Sequence, residues 1–180
     1  MPAARTTARV EKLAEGLLEA HRITKPPVDV ELLATLGGIT VTFDDLGSDD
    51  VSGMLYRKSP VSVMVINMHH LRHRQRFTIA HEIGHAKLHD SDTYLDGLAT
   101  LRFRDGKSAT GTDIEEREAN RFAAAVLMPA AWVRRRFLGL VTGRRPTEEA
   151  KAITRLASEF DVSPQAMQFR LVNLDLIDPA

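Results

Sequence analysis

Arg76-Phe77-Thr78-Ile79-Ala80-His81-Glu82-Ile83-Gly84-His85 organises the rest of this 180-residue chain. Two histidines four residues apart stand on one face of a helix, so both ring nitrogens can reach a single metal ion. Glu82 follows the first histidine directly and is placed to take a proton from a water bound to that ion. Together these residues form the core of a zinc peptidase site. Gly84 costs a helix about 1 kcal/mol relative to alanine, which implies a close approach by another backbone.

The segments around this stretch read as alternating helices and short strands. Val10, Leu13, Leu17 and Leu18 recur at helical spacing, predicting an amphipathic helix over residues 7–21, stopped by Pro26-Pro27. Val30, Leu32, Leu33 and Leu36 predict a second short helix closed by Gly37-Gly38. Residues 39–43 alternate like a strand, 44–50 form a polar turn region, and 54–56 and 61–66 predict two further strands joined at Lys58-Ser59-Pro60. Strand 61–66 is expected at a sheet edge, where it could hold an extended substrate by strand addition. The metal helix is predicted from about Leu71 to His89. Residues 90–111 lack periodicity and read as a long loop with one strand near 98–104. Its place between the two halves of a site tilts it toward function.

Thr112-Asp113-Ile114-Glu115 is a capping box that starts a helix running to about Leu127. Pro129 is expected at the first position of the next helix, through Trp132 and Phe137. Residues 139–146 read as a linker, followed by helices over 147–160 and 164–173 with Ser163 as N-cap of the second. The division is therefore a metallopeptidase domain over 1–140 and a helical tail over 146–180.

A catalytic zinc takes three protein ligands and keeps one position for water. His81 and His85 supply two, and Glu115, Glu116 and Glu118 are candidates for the third. Glu115 is engaged by the capping box, and Glu118 shares its face with Phe122 and Ala125. Glu116 stacks with Asn120, Ala123, Ala124 and Leu127, small residues that let this helix pack closely on the first. A carboxylate on that stripe needs a positive partner, which makes Glu116 the expected ligand and Glu118 the alternative. Asn120, one turn from Glu116, could orient a ligating histidine. Tyr56, His89 and Tyr94 are candidates for a substrate or oxyanion contact. His69, His70 and His73 read as exposed residues at a helix start.

Composition excludes several classes. With no cysteine, disulfides and thiolate sites are ruled out, and a metal must rest on histidine and carboxylate. Zinc suits that set, and Mn2+ or Fe2+ could also occupy it. Twenty-four basic and 24 acidic residues cancel, so no overall field draws the chain to nucleic acid or an anionic membrane. Arg134, Arg135, Arg136, Arg144 and Arg145 cluster in sequence, but a solvated helix end and loop accounts for them. The N-terminus has no signal-like apolar stretch and no segment approaches membrane-spanning length, so a cytoplasmic protein is expected.

The run 76–85, followed by Glu116, Ala119, Asn120, Phe122, Ala123, Ala124 and Leu127-Met128-Pro129, resembles the ImmA/IrrE family of metallo-endopeptidases. Weaker similarity extends upstream through Ser52-Gly53 and Asn67 and downstream into the tail. The resemblance implies an α+β, zincin-like (gluzincin) minimal peptidase domain: a small mixed or antiparallel sheet on the metal helix, with a helical tail behind. It also implies Glu116 as metal ligand and, as partner, a helix-turn-helix (XRE-like) repressor that is cleaved to switch on stress-response or mobile-element genes.

The tail, from Leu156 to Leu171, has helix-turn-helix spacing. Its second helix offers Gln165, Gln168, Arg170 and Asn173, with a single charge, so packing or protein recognition is expected rather than DNA binding. A second hypothesis remains, in which a non-proteolytic regulator or toxin-antitoxin-like partner retains the metal for structure. An intact Glu82 favours the enzyme.

Overall fold

The computed structural model describes residues 2–58, 60–89, 93–94, 112–141 and 146–179. In chain order these form α1 (Pro2–Ala20), α2 (Val30–Leu36), β1 (Thr40–Asp44), β2 (Gly53–Lys58), β3 (Val61–Asn67), α3 (Arg72–Leu88), β4 (Thr93–Tyr94), α4 (Thr112–Leu127), α5 (Ala130–Leu138), α6 (Pro146–Phe160) and α7 (Pro164–Asn173). The fold is mixed α+β.

α3 is the axis of the molecule. Every residue from Thr78 to His85 is buried, so this helix has no solvent face along the two turns that carry the motif. A helix enclosed on all sides lacks the one-sided apolar stripe of a surface helix. On one side lies the sheet, where Leu55, Met64 and Ile66 point into the same buried cluster as Ile79 and Ile83. On another side lies α4, packed through Ala119, Phe122, Ala123 and Val126, all fully buried. α1 lies along α4 with Val10, Ala14 and Leu18 inward. Leu13, expected on that stripe, is instead 37% exposed, and Ala14 takes the inward position.

The sheet order is β1-β3-β2-β4. β1 runs parallel to β3, with Thr40 opposite Val63. β2 pairs antiparallel with β3, Leu55 opposite Met64, and β4 antiparallel with β2, Tyr94 opposite Leu55. β3 is therefore an interior strand, which corrects the expected sheet edge. The β2–β3 hairpin is local and readable, but the parallel return of β1 beside β3 is a non-local pairing with no turn to announce it. The strand expected near 98–104 lies outside the described residues. Pro129 stands one place earlier than expected, as N-cap of α5.

Buried polar side chains fasten the tail to the rest. Arg170 donates from Nε to the Met128 carbonyl (2.9 Å) and forks onto the Glu11 carboxylate of α1, with Nη2 to Oε2 at 2.9 Å. Arg76 donates from Nε to the Asp161 carbonyl (3.0 Å) and from Nη2 to the Val28 carbonyl (2.9 Å). Ser163 caps α7, accepting from the Ala166 amide at 3.1 Å. Phe160, Met167 and Leu171 join the continuous core. Among the described residues, no helix is long and apolar enough to cross a membrane.

Candidate metal centre

α3 and α4 pack on one another closely at Gly84. A Cβ placed there would lie 3.2 Å from the Ala119 Cα, 3.3 Å from its carbonyl oxygen and 3.1 Å from the Phe122 ring. The missing side chain lets the two backbones approach, and this brings α4 within reach of the histidines one residue and one turn away.

The outcome is a convergence of three side chains. The Nε2 atoms of His81 and His85 are 2.9 Å apart. Glu116 presents Oε1 to His85 Nε2 at 3.2 Å and Oε2 to His81 Nε2 at 3.4 Å. One donor atom from each lies within 4.8 Å of the others, a set that could hold a metal ion. The donor chemistry fits a divalent cation: two imidazoles and a carboxylate, all pointing inward. Burial is the largest single influence on Glu116 and pushes its pKa up. Hydrogen bonds from His81 and His85, with their charges, together outweigh it and hold the carboxyl at about 2. An acceptor that stays ionised this far down needs no deprotonation to bind a cation.

The burial gradient across the site has a direction. His85 and Glu82 are fully enclosed, His81 is 8% exposed, and the Glu116 side chain is 28% exposed. Among the described residues, Glu116 thus sits on the rim of the α4 contact stripe rather than in its middle, with the cluster closed toward the core and exposed on the Glu116 side. A site that must admit water and a peptide needs such an open side.

Each histidine is also held from behind. His81 Nδ1–H donates to Asn120 Oδ1 at 3.0 Å, which fixes the ring with Nε2 turned toward His85 and Glu116. His85 Nδ1 lies 3.2 Å from Nδ1 of His89, whose Nε2 lies 3.2 Å from Glu118 Oε2. Asn120 and His89 are thus brought to the cluster, while Glu118 reaches His89 instead of the other two histidines. Tyr56 is not brought there: it alternates with inward-facing Leu55 and projects from the opposite face of the sheet, 46% exposed. The side chains of Tyr94 and Thr112 lie outside the described residues, so the oxyanion and capping-box expectations for them do too. His69 pairs with Asp45 at 3.5 Å and His70 bonds the Asp49 carbonyl, away from the centre.

Asn67 was missed by sequence reasoning as a structural residue. Fully buried, its Nδ2 donates to the carbonyls of Ser48 (3.0 Å) and Val51 (2.9 Å), and its Oδ1 accepts from the His69 amide (3.0 Å). It ties the polar turn to the entry of α3. An asparagine closing a strand before a His-rich turn was the available signal.

Comparison with known proteins gives three findings. A family model described as the IrrE N-terminal-like domain, peptidase M78, matches residues 36–172. The radiation response metalloprotease IrrE of Deinococcus deserti is 34% identical over 140 residues, covering 78% of this chain and 45% of that protein. A solved structure of a Mycobacterium tuberculosis transcriptional regulator matches with a TM-score of 0.62 at 19% identity, over 92% of this chain and 46% of that one, a likeness of fold. This chain thus spans a little under half the length of either relative. Because the family match runs through α3 and α4 and covers most of the sequence, the chain belongs to the IrrE N-terminal-like, peptidase M78 family of metalloproteases.

Proposed function

We propose that this chain is a zinc-dependent endopeptidase of gluzincin type, acting in the cytoplasm on a helix-turn-helix (XRE-like) repressor whose cleavage releases stress-response or mobile-element genes. The observation that carries this reading is the convergence of His81, His85 and Glu116, with Glu82 enclosed in the same turn of α3. His81, His85 and Glu116 would hold the ion, and Mn2+ or Fe2+ could replace zinc in such a set. A bound divalent ion lowers the pKa of its water toward neutrality and polarises the scissile carbonyl.

Glu82 takes the proton from the attacking water and delivers it to the leaving amine, a role that is typically worth 10²–10⁴-fold. Enclosure in α3 keeps its carboxylate from swinging into solvent. Asn120 holds the His81 ring at its productive rotation. The open side beside Glu116 is where a peptide would enter.

We read residues 1–140 as the peptidase unit and 146–180 as a tail that recognises protein rather than DNA. The one cation of α7, Arg170, is committed to Glu11 and the Met128 carbonyl, so the exposed positions Gln165, Phe169 and Asn173 offer a phosphate no charge. That a structural neighbour is named a transcriptional regulator accords with a regulatory role. The test is metal analysis of the purified protein, then incubation with a helix-turn-helix regulator encoded beside it, with and without chelator. Cleavage that chelator abolishes supports the peptidase. Repressor left whole under every condition supports instead a non-proteolytic, toxin-antitoxin-like binding role.

A further inference from the structure

We infer that His89 and Glu118 are positioning residues for the metal, acting in series through His85. The inference rests on the proposed metal role of His85 and adds two residues to it.

His85 turns Nε2 toward His81 and Glu116, at 2.9 and 3.2 Å, and turns Nδ1 toward His89 Nδ1 at 3.2 Å. If Nε2 gives its lone pair to a cation, the ring proton must sit on Nδ1, which then donates to His89. His89 Nδ1 must accept, so its own proton sits on Nε2, and that nitrogen faces Glu118 Oε2 at 3.2 Å. A carboxylate can only accept there. Every hydrogen bond in the line is satisfied by one tautomer of each ring, and that is the arrangement in which His85 offers Nε2 to the site. The reverse polarity would leave His89 Nε2 and the Glu118 carboxylate as two acceptors facing each other.

The backbone explains how the third imidazole arrives. His89 is the C-cap of α3, at φ −125° and ψ 141°, with its amide donating to the His85 carbonyl at 3.1 Å. The extended cap lets its ring fold beside that of His85, with centroids 5.2 Å apart. The His89 side chain is 7% exposed and that of Glu118 20%, so the line is shielded from competing water. His81 is oriented by the neutral amide of Asn120, whereas His85 is oriented by a chain ending in a carboxylate.

The test is zinc affinity by competition with a chromophoric chelator, with Co2+ absorption as a second readout and urea unfolding of the metal-free protein alongside. His89→Ala and Glu118→Ala should each weaken zinc binding by about 10- to 100-fold and shift the Co2+ bands. The double variant should bind no more weakly than the weaker single, because the residues act in series. Glu118→Gln keeps an acceptor of the same shape without the charge, and should lose about tenfold while folding normally. A merely structural role would lower the urea midpoint of the metal-free variants and leave zinc affinity within twofold of the parent. That result, unchanged affinity in Glu118→Gln, or multiplicative losses in the double variant would each overturn the inference. A parent that binds zinc but cuts no repressor defeats the proposed function and leaves this relay standing. A parent that binds no zinc defeats both.

Discussion

Replacing Gly84 with alanine pits two effects of similar size against each other. In an exposed helix the change gains about 1 kcal/mol from the lower backbone entropy of the unfolded chain. Here the new methyl would meet the Ala119 backbone at 3.2 and 3.3 Å and the Phe122 ring at 3.1 Å. The ring can tilt, but Ala119 Cα can move only if α4 moves. Overpacking of this kind typically costs about 1–3 kcal/mol, so the net stability change of the metal-free protein is a loss of roughly 0–2 kcal/mol. For a chain of this size that corresponds to a fall in Tm of up to about 8 °C.

The more discriminating consequence is at the metal. Ala119 is three residues from Glu116 on the same side of α4, so a shift of a few tenths of an ångström is passed to the carboxylate. Metal–ligand distances tolerate about 0.2 Å. Gly84→Ala should therefore weaken zinc binding by about tenfold, or 1.4 kcal/mol, so that zinc stabilises the variant less than the parent. Calorimetric melting with and without zinc, beside chelator competition, measures both quantities. A variant that melts about 2–4 °C higher than the parent and binds zinc equally well would refute this close contact. The helices would then have room that the distances deny.

Four further outcomes follow from other contacts. Glu82→Gln should retain zinc and lose cleavage by at least about 10²-fold; a variant that cuts at the parent rate removes Glu82 as general base. Arg170→Met strips a buried donor from Glu11 and the Met128 carbonyl, and should cost about 3 kcal/mol, read as a lower urea midpoint. Phe122→Ala opens a fully enclosed cavity between α3 and α4 and should cost about 3–5 kcal/mol by the same assay. Glu116 has a depressed pKa in the folded state, so the stability it gives the metal-free protein is complete above about 4.5 and fades as pH falls through about 2. Glu116→Gln should therefore lower the urea midpoint at pH 6, with the gap to the parent narrowing as pH approaches 2.

What sequence could show depended on whether the physics was local. The two motif helices, the β2–β3 hairpin and the Ser163 cap each rest on spacing or turn chemistry within a few residues, and all appear near their expected bounds. The parallel return of β1 does not, because its partner lies beyond a hairpin and no residue type marks it. The same holds for Asn67, Arg76 and Arg170. Each reads as an ordinary polar residue until tertiary contacts enclose it, and only the partner carbonyls, far away in sequence, explain why it is there.

The choice between Glu116 and Glu118 shows how far a helical wheel reaches. Two residues apart, their side chains leave α4 about 200° apart. Glu116 meets the rings of His81 and His85, while Glu118 meets that of His89. The wheel has nothing to say about Glu118, because its partner is not on the α3 helix proper. His89 leaves that helix through an extended cap, and its ring comes to Glu118 from a direction that helical periodicity does not describe. The five-residue motif therefore supplies two of the three candidate donors, His81 and His85, but neither Glu116 nor what fixes their direction. The chain settles that with one amide from α4 and one imidazole–carboxylate pair bridging the end of α3, each placed by backbone geometry that the five-residue motif does not contain.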